Sequence, residues 1–455
     1  MQMTNSKLYR FVARFRELGA TAVILTFFAG VQMAQAADGD LDPLFGSGGM
    51  VMTDLGRSTD IANAVAIQAD GKSVVVGTTY RNNDFSDEDF VVTRYNTDGM
   101  LDNTFGNRGK VRTDFPGLAA VPSSVVIQPD GKIVVAGGAF PLFTFIGNFK
   151  VARYNPNGSL DTSFGDGGIV TTIFPAGSYA SDVALQSDGK IIAAGTVFVD
   201  FIIGESSDTD FALARYNPDG TPDATFGSNG QVTTDFLGFE DDAFSILIQP
   251  DGKIVAVGSA NDPATFYDFA AARYLSNGAI DTTFGVAGKV RTDFGDQNFD
   301  RARSAALQPD GRIVAAGFAI SHGGGVQNFA VARYTSNGVL DTTFSRDGRT
   351  QIDFGTCCQS ATKVLLQSDG KIIAVGGASG ESSDDDFLLA RLSPRGTLDN
   401  TFGIGGEVRT SFGDLNGGAN GAALQSDGKI VAVGFQATFS NQFANFALAR
   451  YLNSQ

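Results

Sequence analysis

Tryptophan is absent from this sequence, histidine occurs once, and the only cysteines are the adjacent Cys357 and Cys358. A single histidine, His322, excludes a multi-histidine zinc site. Any Ser-His-Asp machinery would have to use that one residue, which reads as a solvated side chain in the glycine-rich stretch 321–325. The missing tryptophan weakens a quinone-cofactor reading. Cys357 and Cys358 are candidates for a vicinal disulfide, a strained arrangement, with two thiols as the alternative. If they pair with each other they cannot staple distant parts of the fold. Basic charge is also scarce: 33 Lys and Arg face 49 Asp and Glu, a net charge of -16. Such a surface repels phosphate backbones, so nucleic acid is not an expected partner, whereas cations and basic partners are compatible. Gly71-Lys72-Ser73 imitates the end of a phosphate loop, but Ala66 stands where the loop needs glycine.

The N-terminus has the layout of a secretory signal. Lys7, Arg10, Arg14 and Arg16 precede an apolar stretch, ATAVILTFFAGV, and then Ala34-Gln35-Ala36, a small-x-small cleavage site. The strongly apolar part is short for a bilayer span, which favours cleavage over anchoring. The expectation is a signal peptide over 1–36 and a mature chain over 37–455, secreted, periplasmic or at the cell surface, and no integral membrane protein once the signal is removed.

What is abundant is repetition. A Leu-Asp-x-x-Phe-Gly box places Asp at 42, 102, 161, 223, 281, 341 and 399, at spacings of 58 to 62. A Gln-x-Asp-Gly-Lys box places Asp at 70, 130, 188, 251, 310, 369 and 427. An Ala-Arg-Tyr box places Arg at 94, 153, 215, 273, 333, 391 and 450. From each such Arg to the next Leu-Asp box the distance is always 8, whereas the stretch from the glycine after the second apolar run to the Phe before Ala-Arg-Tyr varies from 11 to 16. Each repeat predicts four strands: A, as in 124–127; a tight Pro-Asp-Gly turn; B, as in 133–136, apolar on both faces; C, as in 149–154; and D, as in 109–115, alternating and half exposed. Four antiparallel strands per ~60 residues predict an all-β, seven-bladed β-propeller in a single domain. The phase of the repeat favours this over a solenoid. The mature chain opens on a D strand near 49–55 and ends on a C strand near 446–452, so the N-terminal strand is expected to complete the last blade and remove two raw sheet edges.

These boxes resemble the delta-60 repeat, a bacterial family of exported proteins predicted to form β-propellers, over about residues 41 to 452. Departures include Pro222 for Leu, Ser345 for Gly, Arg312 for Lys and Leu392 for Tyr. The resemblance implies fold and export, and it brings no reaction, ligand or site residue.

Residues repeated seven times read as architecture. The turn Asp residues brace their turns, and the seven Arg are expected to pair with acids such as those of the Leu-Asp box or with loop carbonyls. No cofactor is expected. The alternative is Ca²⁺ at an Asn-x-Asp-Gly-x-x-Asp segment such as 217–223, which falls short of a full calcium loop. Function is therefore sought in the B-to-C and D-to-A loops, which share one face. Three B-to-C loops are acidic, holding Asp87, Asp208, Asp384 and Asp385, and Glu240, Asp241 and Asp242 add a fourth cluster. Two neighbouring loops are apolar: one carries Phe140, Phe143 and Phe145, the other Phe198 and Phe201. Either these loops pack on each other or they expose a patch for a partner. The leading reading is a monomeric binding or scaffold module for a protein or cell-surface ligand. The alternative is an enzyme at the variable-loop mouth of the central channel, using Asp300, Arg301 and Arg303 beside His322. A single inward cluster of unlike polar groups there would favour the enzyme, and a broad patch without such convergence the binding module.

Overall fold

The computed structural model describes residues 37–453 apart from 57–58, 82–83, 142–145, 200–207, 263–265, 296–298, 321–324, 379–385, 414–415 and 438–442, and only the backbone at 81 and 84–87. The expected signal peptide, residues 1–36, lies outside that set. Among the described residues there are 28 strands and no helix. Among the described residues no helix is long and apolar enough to cross a membrane.

The strands form repeated four-stranded antiparallel sheets. Blade two shows the plan: A is Leu118–Ile127, B is Ile133–Pro141, C is Asn148–Tyr154 and D is Ile169–Thr172, hydrogen-bonded in that order. The six blades that begin at Thr59, Leu118, Ser178, Asp241, Arg301 and Gln359 draw all four strands from consecutive sequence. The last, Asn416–Leu424, Ile430–Ala437 and Ala444–Tyr451, takes its D strand from the other end of the chain. Met50–Thr53 lies antiparallel to it in the register Met50 to Ala449 through Thr53 to Phe446.

Strand B is buried along nearly its whole length because both its faces meet neighbouring blades. Seven apolar clusters result, each between successive blades. The cluster between blades one and seven joins Val75 and Tyr95 to Val431, Val433 and Phe446.

The three boxes lock these seams. In six blades the C-strand Arg donates through Nε to the Asp eight residues on, as Arg94 does to Asp102 at 2.8 Å and Arg215 to Asp223 at 2.7 Å, and in the last blade Arg450 donates to Asp42. Its guanidinium lies over the Phe of the same box, at 4.4 Å for Arg153 on Phe164 and 4.6 Å for Arg450 on Phe45. Its other nitrogen reaches the next blade, where Arg94 donates to the Pro156 carbonyl at 2.5 Å. The turn lysine completes the hub: Lys72 Nζ stands 3.1 Å from Asp102. Each turn Asp accepts the N–H two residues on, as Asp70 does from Lys72. In six blades the Tyr hydroxyl of the Ala-Arg-Tyr box bonds to a Thr on the D strand of the preceding blade, for instance Tyr274 to Thr234 at 2.8 Å and Tyr95 to Thr53 at 2.9 Å.

Strand A of every blade carries a one-residue bulge near its start. The bulge presses the A backbone against strand B. A Cβ on Gly258 would meet the Asp242 carbonyl oxygen at 1.8 Å, and one on Gly77 the Ile61 oxygen at 2.0 Å. This close approach is why the apolar run of strand B ends in glycine at a constant distance from its turn.

Candidate functional site

One cavity of about 480 Å³ is lined by the A strands of all seven blades. Larger space, about 740 Å³, opens between the A–B turns of blades three and four. Equivalent grooves recur at other seams, lined by the same box residues. That repetition, with Arg215 and Lys190 already on Asp223, makes the groove part of the architecture.

The central cavity is different because its lining breaks the repeat. The bulged positions are Asn63, Ser123, Ser181, Phe244, Arg303, Thr362 and Asn420. A bulge re-aims one side chain per strand, and here it aims seven side chains of five kinds at one space. Three stitch neighbouring blades: Asn63 Nδ2 donates to the Pro122 carbonyl at 2.7 Å, Thr362 Oγ1 to Ala419 at 2.9 Å, and Asn420 Nδ2 to Ala62 at 2.9 Å. Asp182 is also engaged, accepting from Ser124 Oγ and from the Ile246 N–H.

Arg303 is not engaged in this way. Its guanidinium lies over Phe244 at 4.5 Å and Phe318 at 5.9 Å, and among the described residues no carboxylate forms an ion pair with it. Burial, with the Arg301 charge beside it, pushes its pKa below the ordinary guanidinium value, while Asp242 opposes that shift. Arg301, at the first residue of the same strand, lies over Tyr267 at 3.9 Å. Tyr267 and Phe266 both stack on Phe299, at 5.5 Å each, and Phe266 and Phe299 are exposed. Phe266 holds φ at 61°, a left-handed conformation that bulky residues rarely adopt. Across the mouth, Asp242 accepts the Thr196 hydroxyl at 3.0 Å and the Tyr179 hydroxyl at 3.3 Å. Burial first, and then the Asp242 charge, raise the Tyr179 phenol well above its usual value.

Arg301 and Arg303, two of the residues named for the enzyme alternative, thus lie near each other and near Tyr179, Asp242, Phe244 and an aromatic shelf. Asp300 points elsewhere. It is fully buried, with Oδ2 accepting the Phe294 N–H at 2.7 Å. His322 lies outside the described residues. Of the apolar loops, Phe140 and Phe198 flank Tyr179 at 6.5 and 6.4 Å, so these two pack through a shared ring. Phe143, Phe145 and Phe201 lie outside the described residues, as do Asp384 and Asp385. Asp87 is described only as backbone of the strand Asp84–Tyr95. Asp208 sits close enough to Asp210 of its own blade and Asp241 of the next to act on both. Cys357 is exposed, and Cys358, half-buried, holds φ at 60° in a D-to-A loop. In the segment 217–223, Asp219 accepts from Thr221, and Asp223 from Thr225 and Arg215.

Repeated four-stranded antiparallel sheets around a common axis of A strands define a β-propeller. The sequence matches the profile of the Domain of unknown function (DUF5122) beta-propeller over residues 68–105, 128–164, 186–226, 249–284, 308–344, 367–402 and 425–454, more than half the chain. The chain belongs to this family. Each matched segment runs from an A–B turn through strands B and C, and the first six continue into the Leu-Asp-x-x-Phe-Gly box. No curated protein matches the sequence. Among solved structures, virginiamycin B lyase from Staphylococcus aureus, crystallised with quinupristin, is similar at 11% identity and a TM-score of 0.45, over 88% of this chain and 98% of that one. A protein of unknown function from Dyadobacter fermentans is similar at 14% identity and a TM-score of 0.46, over 74% of this chain and 96% of that one. A gluconolactonase from Xanthomonas campestris is similar at 10% identity and a TM-score of 0.34, over 91% of this chain and 97% of that one.

Proposed function

We propose that this is an exported, seven-bladed propeller, closed into a ring by its N-terminal strand, that binds a small anionic ligand at the mouth of its central channel. Closure is supported by the Met50–Thr53 pairing and by the apolar cluster between blades one and seven. Export and removal of residues 1–36 are supported by the signal-like N-terminus and the delta-60 likeness.

The observation that carries the binding reading is Arg303, a cation in the central cavity with no ion-pair partner among the described residues, in a protein of net charge -16. Keeping a cation desolvated has a cost, and a ligand carboxylate would offset it through charge-assisted hydrogen bonds. The stacked Phe266, Phe299 and Tyr267 beside Arg301 would take a flat apolar face. The ligand class is therefore a carboxylate borne on a ring, as in the acidic saccharides of cell surfaces. Melting temperature measured against galacturonate, benzoate and neutral galactose tests this. A rise with galacturonate and none with galactose is expected. A rise with benzoate as well would make the aromatic shelf the selector. No response to either acid would refute the reading.

A further inference from the structure

The outward ends of the C and D strands follow a charge rule that one blade breaks. The C-strand residue just before the conserved Phe is Asp89, Asn148, Asp210, Asp268, Asn328, Asp386 or Asn445 across the seven blades. On the same face of the facing D strand stands Arg112, Thr171, Thr233, Arg291, Gln351, Arg409 or Met52. Three of the acids meet an arginine: Asp89 with Arg112, Asp268 with Arg291, and Asp386 with Arg409. The asparagines face neutral residues. Asp210 alone is an acid facing no arginine, because its partner position holds Thr233.

This uncompensated acid sits where further acids converge. Asp210, from strand C of blade three, lies with Asp235, from the following loop, and Asp241, from strand A of blade four. One carboxylate oxygen from each falls within 4.8 Å of the others. Asp241 is fully buried. Its Oδ2 accepts the Phe236 N–H at 2.6 Å, while its Oδ1 is buried with no hydrogen-bond donor. Asp210 Oδ1 is likewise buried without a donor. Asp208 adds its charge to both. The nearby cation is Lys289, which donates to the Asp235 carbonyl and lies over the Phe236 ring. Burial, with the mutual repulsion of these carboxylates, lifts Asp241 to about 8 and Asp210 to about 6. Oxygens around one Ca²⁺ at about 2.4 Å lie no more than about 4.8 Å apart, so the trio has the reach of a calcium shell. Asp235 is exposed and leaves an open side for water ligands.

We propose that Asp210, Asp235 and Asp241 bind a divalent cation, Ca²⁺, at the seam of blades three and four, in the place that arginine fills in blades one, four and six. Asp268, Asp293 and Asp300 converge in the same way one seam along, but there Arg291 occupies the position and pairs with Asp268 and Asp262. The ion would tie strand C of blade three to the D-to-A loop and strand A of the next blade.

The test uses the mature chain stripped with EDTA and titrated calorimetrically with CaCl₂, alongside its melting temperature. Thr233→Arg, which supplies the arginine other blades carry, should fold normally, lose calcium binding by at least tenfold and melt independently of calcium. Asp241→Asn should also lose binding. Arg291→Thr should raise the stoichiometry from one to two. Arg303→Met should leave calcium binding unchanged, which separates this site from the channel mouth. A wild-type chain showing neither heat nor a melting shift with calcium overturns the proposal, as does undiminished binding in Thr233→Arg.

Discussion

Arg450 Nε donates to Asp42 Oδ2 at 2.9 Å, joining residues 408 positions apart in a buried pair. Every other blade forms the same pair within eight residues, as Arg215 and Asp223 do. The N-terminus therefore supplies the last blade with an acid hub as well as a strand. Lys429 completes it, 3.3 Å from Asp42. Removing one partner of such a pair leaves a buried charge uncompensated. Asp42→Ala is expected to destabilise the protein by about 3–5 kcal/mol. Urea unfolding should show Asp223→Ala costing a similar amount. A loss under 1 kcal/mol for Asp42→Ala would mean that the terminal strand contributes little.

The one blade without the Ala-Arg-Tyr tyrosine has Leu392, and the D strand facing it has Ile352 where other blades have threonine. Both lie in one apolar cluster. Hydroxyl donor and acceptor are thus lost together, and no buried polar group is orphaned. Leu392→Tyr alone should be destabilising by about 1–3 kcal/mol, because its hydroxyl meets Ile352. Adding Ile352→Thr should recover most of that loss. A double-mutant cycle measures the coupling, and simple additivity would contradict this account.

Gly258 stands where a Cβ would meet the Asp242 oxygen at 1.8 Å. Gly258→Ala must push strands A and B apart beside the channel mouth. It should cost roughly 1–3 kcal/mol. Gly117, whose Cβ would meet nothing, is the control for space alone, although its φ of 76° brings its own strain. Chemical denaturation of the Gly258 variant gives the value.

Stability should pass through a maximum on the acid side of neutrality. Burial would raise Asp102, Asp161 and Asp223, but hydrogen bonds and the paired Arg and Lys charges outweigh it and hold them far below the usual range. Asp399 is held at about 2. Their contribution is present above the ordinary carboxylate value and is lost as pH falls toward the folded values. Asp60 at about 6, Asp300 at about 7 and Asp241 at about 8 are raised chiefly by burial. Their contribution is present below the ordinary value and is lost as pH rises through the folded values. In EDTA the melting temperature should therefore peak between about pH 4 and 6 and fall toward pH 9. A steady rise from pH 6 to 9 would contradict the assignment.

The repeats were legible because each box is a contact. Arg at a fixed eight residues from Asp is an ion pair, the Phe of that box is the surface under the guanidinium, and the turn Asp is its own cap. Strand order and the phase of the termini followed from the same spacing. The channel mouth was only partly legible. Arg301 and Arg303 stood out as charges, but Phe244 carried no such mark, because a bulge that re-aims one side chain leaves no trace in an apolar alternation. Asp210, Asp235 and Asp241 belong to two strands and a loop, so only their folding together reveals the trio. Thr233 becomes informative only when the other blades supply arginine for comparison.

Titrating galacturonate into the wild-type protein and into Arg303→Met isolates what Arg303 contributes to anion binding. Saturable binding to the wild type and at least a tenfold loss in the variant, with equal thermal stability, are expected. Equal affinity for both, or no binding to either, would contradict anion binding by Arg303.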